Sequence, residues 1–175
     1  MKKINITKLA MVSTLIIFAV LSRLMPHPAN FTPILAIALF GGANIEDKKL
    51  AFIIPFASML LSDIFLGFHT TMLFVYLGFA LCVYFGFQIR KNNKISKILS
   101  YTLTGSILFF IITNFGSWLT DPMYSPLNLS SLIQCYTLAL PFFRNAILGD
   151  LVYTTVIFGA FALAAKNLPV LSKVK

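Results

Sequence analysis

Charged side chains stand inside or beside the apolar segments of this sequence, where they could bind a polar ligand. Arg23 lies near the end of the first apolar segment and Asp63 near the end of the third, while Arg144 and Asp150 stand early in the last. Ionisable residues in membrane-spanning segments are costly and usually mark a ligand site or a pathway. A buried carboxylate needs a counter-charge, so we expect Asp150 to pair with Arg144 or Arg23.

The two histidines of the chain, His27 and His69, both fall in loops. Pro26 and Pro28 stiffen the backbone on either side of His27. Imidazole rings bind haem iron and other transition metals. The sequence has no HxxxH, HExxH or CxxC spacing that would indicate such a site, so a surface or hydrogen-bonded role is the alternative for each ring.

Six apolar segments must position these side chains. They comprise residues 8–25, 32–45, 50–66, 70–89, 98–119 and 142–165. A membrane-spanning helix needs about 20 apolar residues, so the chain accommodates about six spans and no soluble domain. We predict an all-α fold, a single six-helix transmembrane domain over residues 1–175. The second segment is short and contains Gly41 and Gly42, so we expect it to be buried among the other helices.

Composition and charge agree with a membrane protein. Hydrophobic residues make up 58% of the chain and charged residues 11%, against roughly 25% charged residues in soluble domains. With six spans, twelve of the 14 basic residues fall on one side, and only Arg23 and Arg144 fall on the other. The positive-inside rule then places both termini in the cytoplasm. We predict a multi-pass protein of the bacterial inner membrane whose charge of +9 reflects topology and not nucleic-acid binding.

The polar residues of several segments meet at the predicted outer side. They are Arg23, His27, Asp63, His69, Asn114, Trp118, Arg144, Asn145 and Asp150. This arrangement predicts a ligand pocket open to the outside, with snorkelling side chains and helix caps as the alternative. Residues 120–141 could form an interfacial or re-entrant helix over this pocket, or a plain amphipathic connector.

Two further features bear on function. Cys82 and Cys135 are expected to lie far apart along the bundle, so no disulfide is expected. We interpret Cys82 as a packing residue, with a role as a soft metal ligand as the alternative. The sequence has no Walker A motif, no GxSxG and no paired-carboxylate hydrolase motif. We therefore expect neither an enzyme nor a protein that uses ATP by itself.

Four stretches of the chain resemble a known family. They are SRLMPHPANFTP at residues 22–33, ALFGGA at 38–43, SDIFLGFH at 62–69 and PFFRNAILGD at 141–150. They are similar to the substrate-binding (S) components of energy-coupling factor vitamin transporters. The resemblance implies a six-helix bundle that binds a vitamin or related micronutrient from outside. It also implies partnership with a transmembrane scaffold and two cytoplasmic ATPases, although some S-like proteins work alone.

Among the solitary S-like proteins, the vitamin B12 family is similar in layout to this sequence. Its pocket implies a role here for His27, Asp63 and Arg144, for Cys82, and for Tyr76 or Tyr84. Cys82 or His27 would be the candidate cobalt ligand. Asn30 lies in the first of the four stretches and joins the predicted substrate-binding residues.

The leading hypothesis is therefore uptake of a vitamin or related micronutrient, with cobalamin or a related corrinoid as the best single candidate. Apolar contacts would come from Phe115, Trp118, Tyr76 and Phe142. One alternative is a haem- or metal-binding membrane redox protein that uses His27 and His69. Another is a structural membrane subunit without a ligand.

Overall fold

The computed structural model describes residues 6–167, and in this range all regular structure is helical. The helices are α1 (Ile6–Leu24), α2 (Ile34–Asn44), α3 (Lys48–Leu66), α4 (Met72–Lys91), α5 (Ile95–Thr120) and α6 (Leu129–Asn167), with a 3-10 turn at Pro122–Tyr124. The predicted all-α fold is confirmed at this level. The topological lysines Lys2, Lys3, Lys173 and Lys175 lie outside the described residues.

Four helices, α3 to α6, are long and apolar enough to cross a membrane. The other two apolar stretches are shorter, Ala10–Leu24 in α1 and Ile34–Asn44 in α2. The several apolar helices are consistent with a multi-pass membrane protein.

Successive helices run in opposite directions. Arg23 at the end of α1 bonds Asp63 near the end of α3, and Thr70 before α4 lies 3.2 Å from Thr120 at the end of α5. These contacts define one end of the bundle, which we call the Arg23 end. The opposite end, called the Arg90 end, carries the loops after α2 and α4.

The short α2 lies at the centre of the bundle, as the sequence predicts. Ten of its 11 residues are buried, with α4 as its main neighbour. A helix that is apolar on every face is stable only when it is surrounded. Gly42 of α2 and Gly86 of α4 meet at the crossing, where a Cβ atom on Gly86 would lie 2.7 Å from the Cα atom of Gly42. The guanidinium of Arg90 then donates to the carbonyls of Gly42 (2.6 Å) and Ile45 at the end of α2, where helix carbonyls are unpaired.

The structure differs from the sequence-based expectation in α6. Residues 129–141 of the expected separate segment 120–141 continue directly into the span 142–165, and together they form one helix of 39 residues, Leu129–Asn167, about 58 Å long. Asn128 accepts from the amide of Ser131 (2.9 Å) at its start, as a helix cap does. Pro141 lies inside the helix and removes a single backbone donor. Contacts with α5 keep the helix in place around Pro141. For example, the Tyr136 hydroxyl donates to the Ile111 carbonyl of α5 at 2.7 Å.

Candidate functional site

A cavity of about 410 Å³ opens at the Arg23 end of the bundle. Its walls come from the loop after α1, from α2 and α3, from the start of α4, and from α5 and α6. The polar residues that line it are Arg23, His27, Asn30, Thr32, His69, Thr71, Ser106, Thr113, Asn114, Ser117 and Asp150. Six of these are residues that the sequence predicts for the site, and we call this space the outer cavity.

Helical periodicity explains which residues of α5 and α6 face the outer cavity. On α5 the lining residues include Ser106, Phe109, Thr113 and Ser117, which recur with the three-to-four-residue spacing of one helix face. On α6 they are Ala139, Phe142, Phe143, Ala146 and Asp150. Arg144 is six residues before Asp150, which is about 1.7 turns, so it points elsewhere and is exposed.

Arg23 and Asp63 form an ion pair at the edge of the outer cavity. The Nη1 atom of Arg23 lies 2.7 Å from Oδ1 of Asp63 and also donates to Ser62 Oγ. The Asp63 side chain is 1% exposed and that of Arg23 is 16% exposed. The second carboxylate oxygen of Asp63 is buried and has no partner among the described residues. Arg23 therefore lines the cavity while its counter-ion is shielded behind it.

Asp150 lies much deeper than the sequence suggests, and its partner is different. It stands 21 residues after the start of α6, about 31 Å along the helix. Its Oδ2 atom accepts a hydrogen bond from Ser106 Oγ at 2.7 Å. The expected pairing with Arg144 or Arg23 is wrong, since Arg23–Asp63 is the sole ion pair in the described part of the chain. The Ser106 hydroxyl takes the place of a cation beside Asp150, because Arg144 lies on another face of α6 and Arg23 is paired with Asp63.

A row of hydroxyl residues, Ser106, Thr102 and Thr154, continues between α5 and α6 from Asp150 toward the Arg90 end. Ser106 Oγ lies 3.0 Å from the carbonyl of Thr102, and Thr102 Oγ1 lies 3.3 Å from Thr154 Oγ1. Thr154 lines a second, mainly apolar cavity of about 500 Å³ between α2, α4, α5 and α6. Hydroxyl groups thus connect the floor of the outer cavity with the second cavity.

The start of α2 reaches the floor of the outer cavity. Ile34 and Leu35 line it, and the preceding Pro33 gives no side-chain cap. The first amide N–H groups of a helix have no partner within the helix and carry a partial positive charge. The positive end of the α2 helix dipole therefore borders the outer cavity.

Both histidines lie exposed at the rim of the outer cavity. His27 Nδ1 is 2.7 Å from the carbonyl of Met25, and His69 Nδ1 is 2.8 Å from Thr71 Oγ1. These contacts leave each Nε2 atom free for a ligand. In residues 6–167 no three His, Cys, Asp or Glu side chains are grouped to hold a metal ion.

The remaining predicted site residues do not line the outer cavity. Cys82 is buried against Gly105, where its sulfur would lie 3.3 Å from an added Cβ atom. Trp118 Nε1 donates to Ser131 Oγ at 3.0 Å, which joins α5 to α6. Tyr76 packs its ring against Phe56, 5.4 Å between centroids. The others, Arg144, Asn145, Tyr84 and Asp63, also lie outside the lining.

Sequence reasoning missed the hydroxyl residues of the outer cavity. Thr32, Thr71, Thr113, Ser106 and Ser117 line it. Ser and Thr in apolar helices often bond their own backbone, as Thr113 does with the Phe109 carbonyl at 2.8 Å, so residue type alone does not mark them. For the three residues on α5, Ser106, Thr113 and Ser117, their position on the same side of the helix as Asn114 is the signal that could have found them.

Over residues 6–167 these features describe an all-helical bundle, consistent with a multi-pass membrane protein, with a polar cavity that opens at one end. The chain belongs to DUF6580, a family of unknown function, whose profile matches residues 3–171. Comparisons with curated proteins and with solved structures find no similar protein.

Proposed function

We propose that this protein binds a vitamin or a related micronutrient in the outer cavity and takes part in its uptake across the bacterial cytoplasmic membrane. The observation that carries the proposal is the outer cavity itself, which gathers eleven polar side chains in a chain that is 58% hydrophobic. Its volume of about 410 Å³ is in the range of small-molecule sites, about 300–1,000 Å³. Polar groups at this depth are costly unless a ligand or water uses them.

The family resemblance supports the same site. Three of the four resembling stretches contribute lining residues, namely Arg23, His27 and Asn30 from the first, His69 from the third, and Asp150 from the fourth. The remaining stretch, ALFGGA, forms the crossing of α2 with α4. In this proposal the protein is an S component that works with a scaffold and ATPase subunits, or a solitary S-like transporter. It has no enzymatic role.

The proposed topology has six spans with the Arg23 end outside. It is supported by the basic residues of the Arg90 end, which are Lys48, Lys49, Arg90, Lys91, Lys94, Lys97 and Lys166. Basic residues close to spans are retained on the cytoplasmic side. The outer cavity then faces the medium from which a micronutrient is taken.

Cobalamin remains the first ligand to test, although the volume of the outer cavity suits smaller molecules as well. Cys82 is separated from the cavity by its packing against α5, so His27 is the candidate cobalt ligand. A bound corrin ring would have to extend beyond the cavity toward this exposed residue. A smaller vitamin would fit within the walls.

The test is ligand binding by the purified full-length protein in lipid nanodiscs. Native mass spectrometry would identify a copurifying ligand, and titration with cobalamin and other vitamins would give affinities. The matched variants are Asn114→Ala and Asn44→Ala, since each amide donates to the carbonyl four residues earlier (2.8 Å and 3.2 Å). Asn114 lines the outer cavity and Asn44 lines the second cavity. We expect Asn114→Ala alone to weaken binding, by about tenfold for one lost hydrogen bond. Absence of any bound vitamin, or equal effects of both variants, would contradict the proposal.

A second candidate function rests on the two histidines at one rim. A haem or metal ion held by His27 and His69 would make the protein a redox component. An absorption spectrum and metal analysis of the purified protein distinguish the two functions, because a Soret band or a stoichiometric metal favours the redox protein. A structural subunit predicts neither ligand nor metal, with a loss of stability as the main effect of changing buried polar residues.

A further inference from the structure

The start of α2 packs between α5 and α6 at the level of Asp150. The Leu35 side chain lies 3.7 Å from the position of a Cβ atom on Gly105, the neighbour of Ser106. On the other side, the Phe31 Cα atom lies 3.1 Å from the position of a Cβ atom on Gly149, the neighbour of Asp150. The first turn of α2 and Asp150 therefore lie at the same level of the bundle, and both line the outer cavity.

The charges around this floor favour an anion. Asp150 is the one acidic residue of the lining, and its Oδ1 atom accepts no hydrogen bond from the described residues. The lining also holds the guanidinium of Arg23, while the counter-ion Asp63 does not line it. The start of α2 adds partial positive charge. An anionic group fits these donors, provided that Asp150 carries no charge of the same sign beside it.

We propose that the ligand of the outer cavity carries a carboxylate or similar single anionic group, bound at the start of α2, and that one proton binds Asp150 together with it. This inference rests on the proposed function and narrows its ligand class. In the binding step a hydronium ion from the medium transfers its proton to one carboxylate oxygen of Asp150. One O–H bond of the hydronium ion breaks, one O–H bond forms on Asp150, and a water molecule is released. The bound pair, anion plus proton, then adds no net charge to the buried floor.

Ser106 can accommodate both protonation states of Asp150. Its single hydroxyl hydrogen has two acceptors, Asp150 Oδ2 at 2.7 Å and the Thr102 carbonyl at 3.0 Å. It donates to Asp150 when the carboxylate is ionised. When Asp150 is protonated, Ser106 can donate to Thr102 and accept from the acid.

The other titratable groups around Asp150 are few and can be tested separately. Cys82 of α4 is the titratable neighbour on that helix. The described part of α2 contributes none, and Ser106 and Thr102 of α5 do not titrate in the working range. The outer cavity also contains Arg23 and, at the rim, His27 and His69.

The experiment compares the acid forms of vitamins with their uncharged amide or alcohol forms, using the full-length protein in nanodiscs. The probes are nicotinate with nicotinamide, biotin with biotinamide, and pantothenate with panthenol. Calorimetric titration at several pH values between about 6 and 8, where histidine also titrates, gives the affinity at each pH. Repeating the titration in two buffers of different ionisation enthalpy gives the number of protons taken up. We expect an acid form to bind more tightly as the pH falls, by up to about tenfold per pH unit for one linked proton. The neutral partner should lack this dependence.

Two variants test whether Asp150 is the group that takes up the proton. Asp150→Asn should retain binding of the acid form and lose both its pH dependence and the proton uptake. The double variant His27→Gln/His69→Gln changes two lining residues, so its affinity can differ, but one proton should still be taken up when the acid form binds. Binding of the acid form without proton uptake, or uptake that persists in Asp150→Asn, overturns the proton site and leaves the proposed function intact. Preference for the neutral probes overturns the anionic ligand class alone, whereas binding of no vitamin, acid or neutral, overturns the proposed function with it.

Discussion

Gly42 and Gly86 bring the backbones of α2 and α4 into direct contact. A Cβ atom on Gly86 would lie 2.7 Å from Gly42 Cα and 2.9 Å from the Ala43 amide nitrogen. Small residues allow membrane helices to approach this closely. Because the opposite end of α2 forms the floor of the outer cavity, this contact fixes the depth at which the cavity ends.

Gly86→Ala should therefore destabilise the protein and displace α2. The added methyl group meets backbone atoms, which cannot rotate away, and overpacking of this kind costs about 1–3 kcal/mol. Gly159→Ala is the matched control, because a Cβ atom there meets nothing within 4 Å and alanine favours the helix. Thermal unfolding in detergent measures both variants. Equal stability of the two would contradict the close crossing.

The Arg23–Asp63 pair should respond asymmetrically to mutation. Arg23→Met leaves the Asp63 carboxylate, 1% exposed, without its counter-ion, and such a loss costs about 3–5 kcal/mol. Asp63→Asn leaves a guanidinium that borders the outer cavity and can be hydrated, so we expect a smaller loss. The double variant should recover part of the stability because no buried charge remains. Chemical denaturation of the three variants tests the order, and an additive double variant would argue against the pairing.

The two hydrogen bonds between α5 and α6, Ser106–Asp150 and Thr102–Thr154, predict different losses of stability on mutation. Ser106→Ala removes the one hydrogen bond recorded for the Asp150 carboxylate, and an unsatisfied buried group costs about 1–3 kcal/mol. Thr102→Val removes a longer contact with Thr154, 3.3 Å, and hydrogen bonds between membrane helices average about 0.6 kcal/mol. Stability measurements should rank Ser106→Ala as the more damaging change. The reverse ranking would show that Asp150 has another partner.

The sequence predicted the helical segments and six of the polar side chains of the outer cavity, because hydropathy sets the segments and their alternation brings Arg23, His27 and His69 to one end. It did not predict the length of α6. Pro141 and the turn signals before it indicate a break, whereas packing against α5 keeps the helix continuous.

The partner of Asp150 depends on helix rotation and depth, which a single sequence does not contain. Arg144 is the nearest cation along α6, yet its position on another face removes it from the outer cavity. Ser106, an ordinary residue by type, takes its place because α5 and α6 are antiparallel and meet at this height. Counting residues along each face would have excluded Arg144, but only the packing of α5 on α6 reveals Ser106.

The proposed orientation can be tested with single cysteines introduced at exposed positions. Ser125 lies in the loop at the Arg23 end and Asn93 in the loop at the Arg90 end. The native Cys82 and Cys135 are each 1% exposed, so the unmodified protein serves as the background. We expect a membrane-impermeant maleimide to label Ser125→Cys in intact cells and Asn93→Cys only after permeabilisation, because basic loops stay in the cytoplasm. Labelling of Asn93→Cys in intact cells would reverse the orientation, and labelling of both from one side would show that α5 does not cross the membrane.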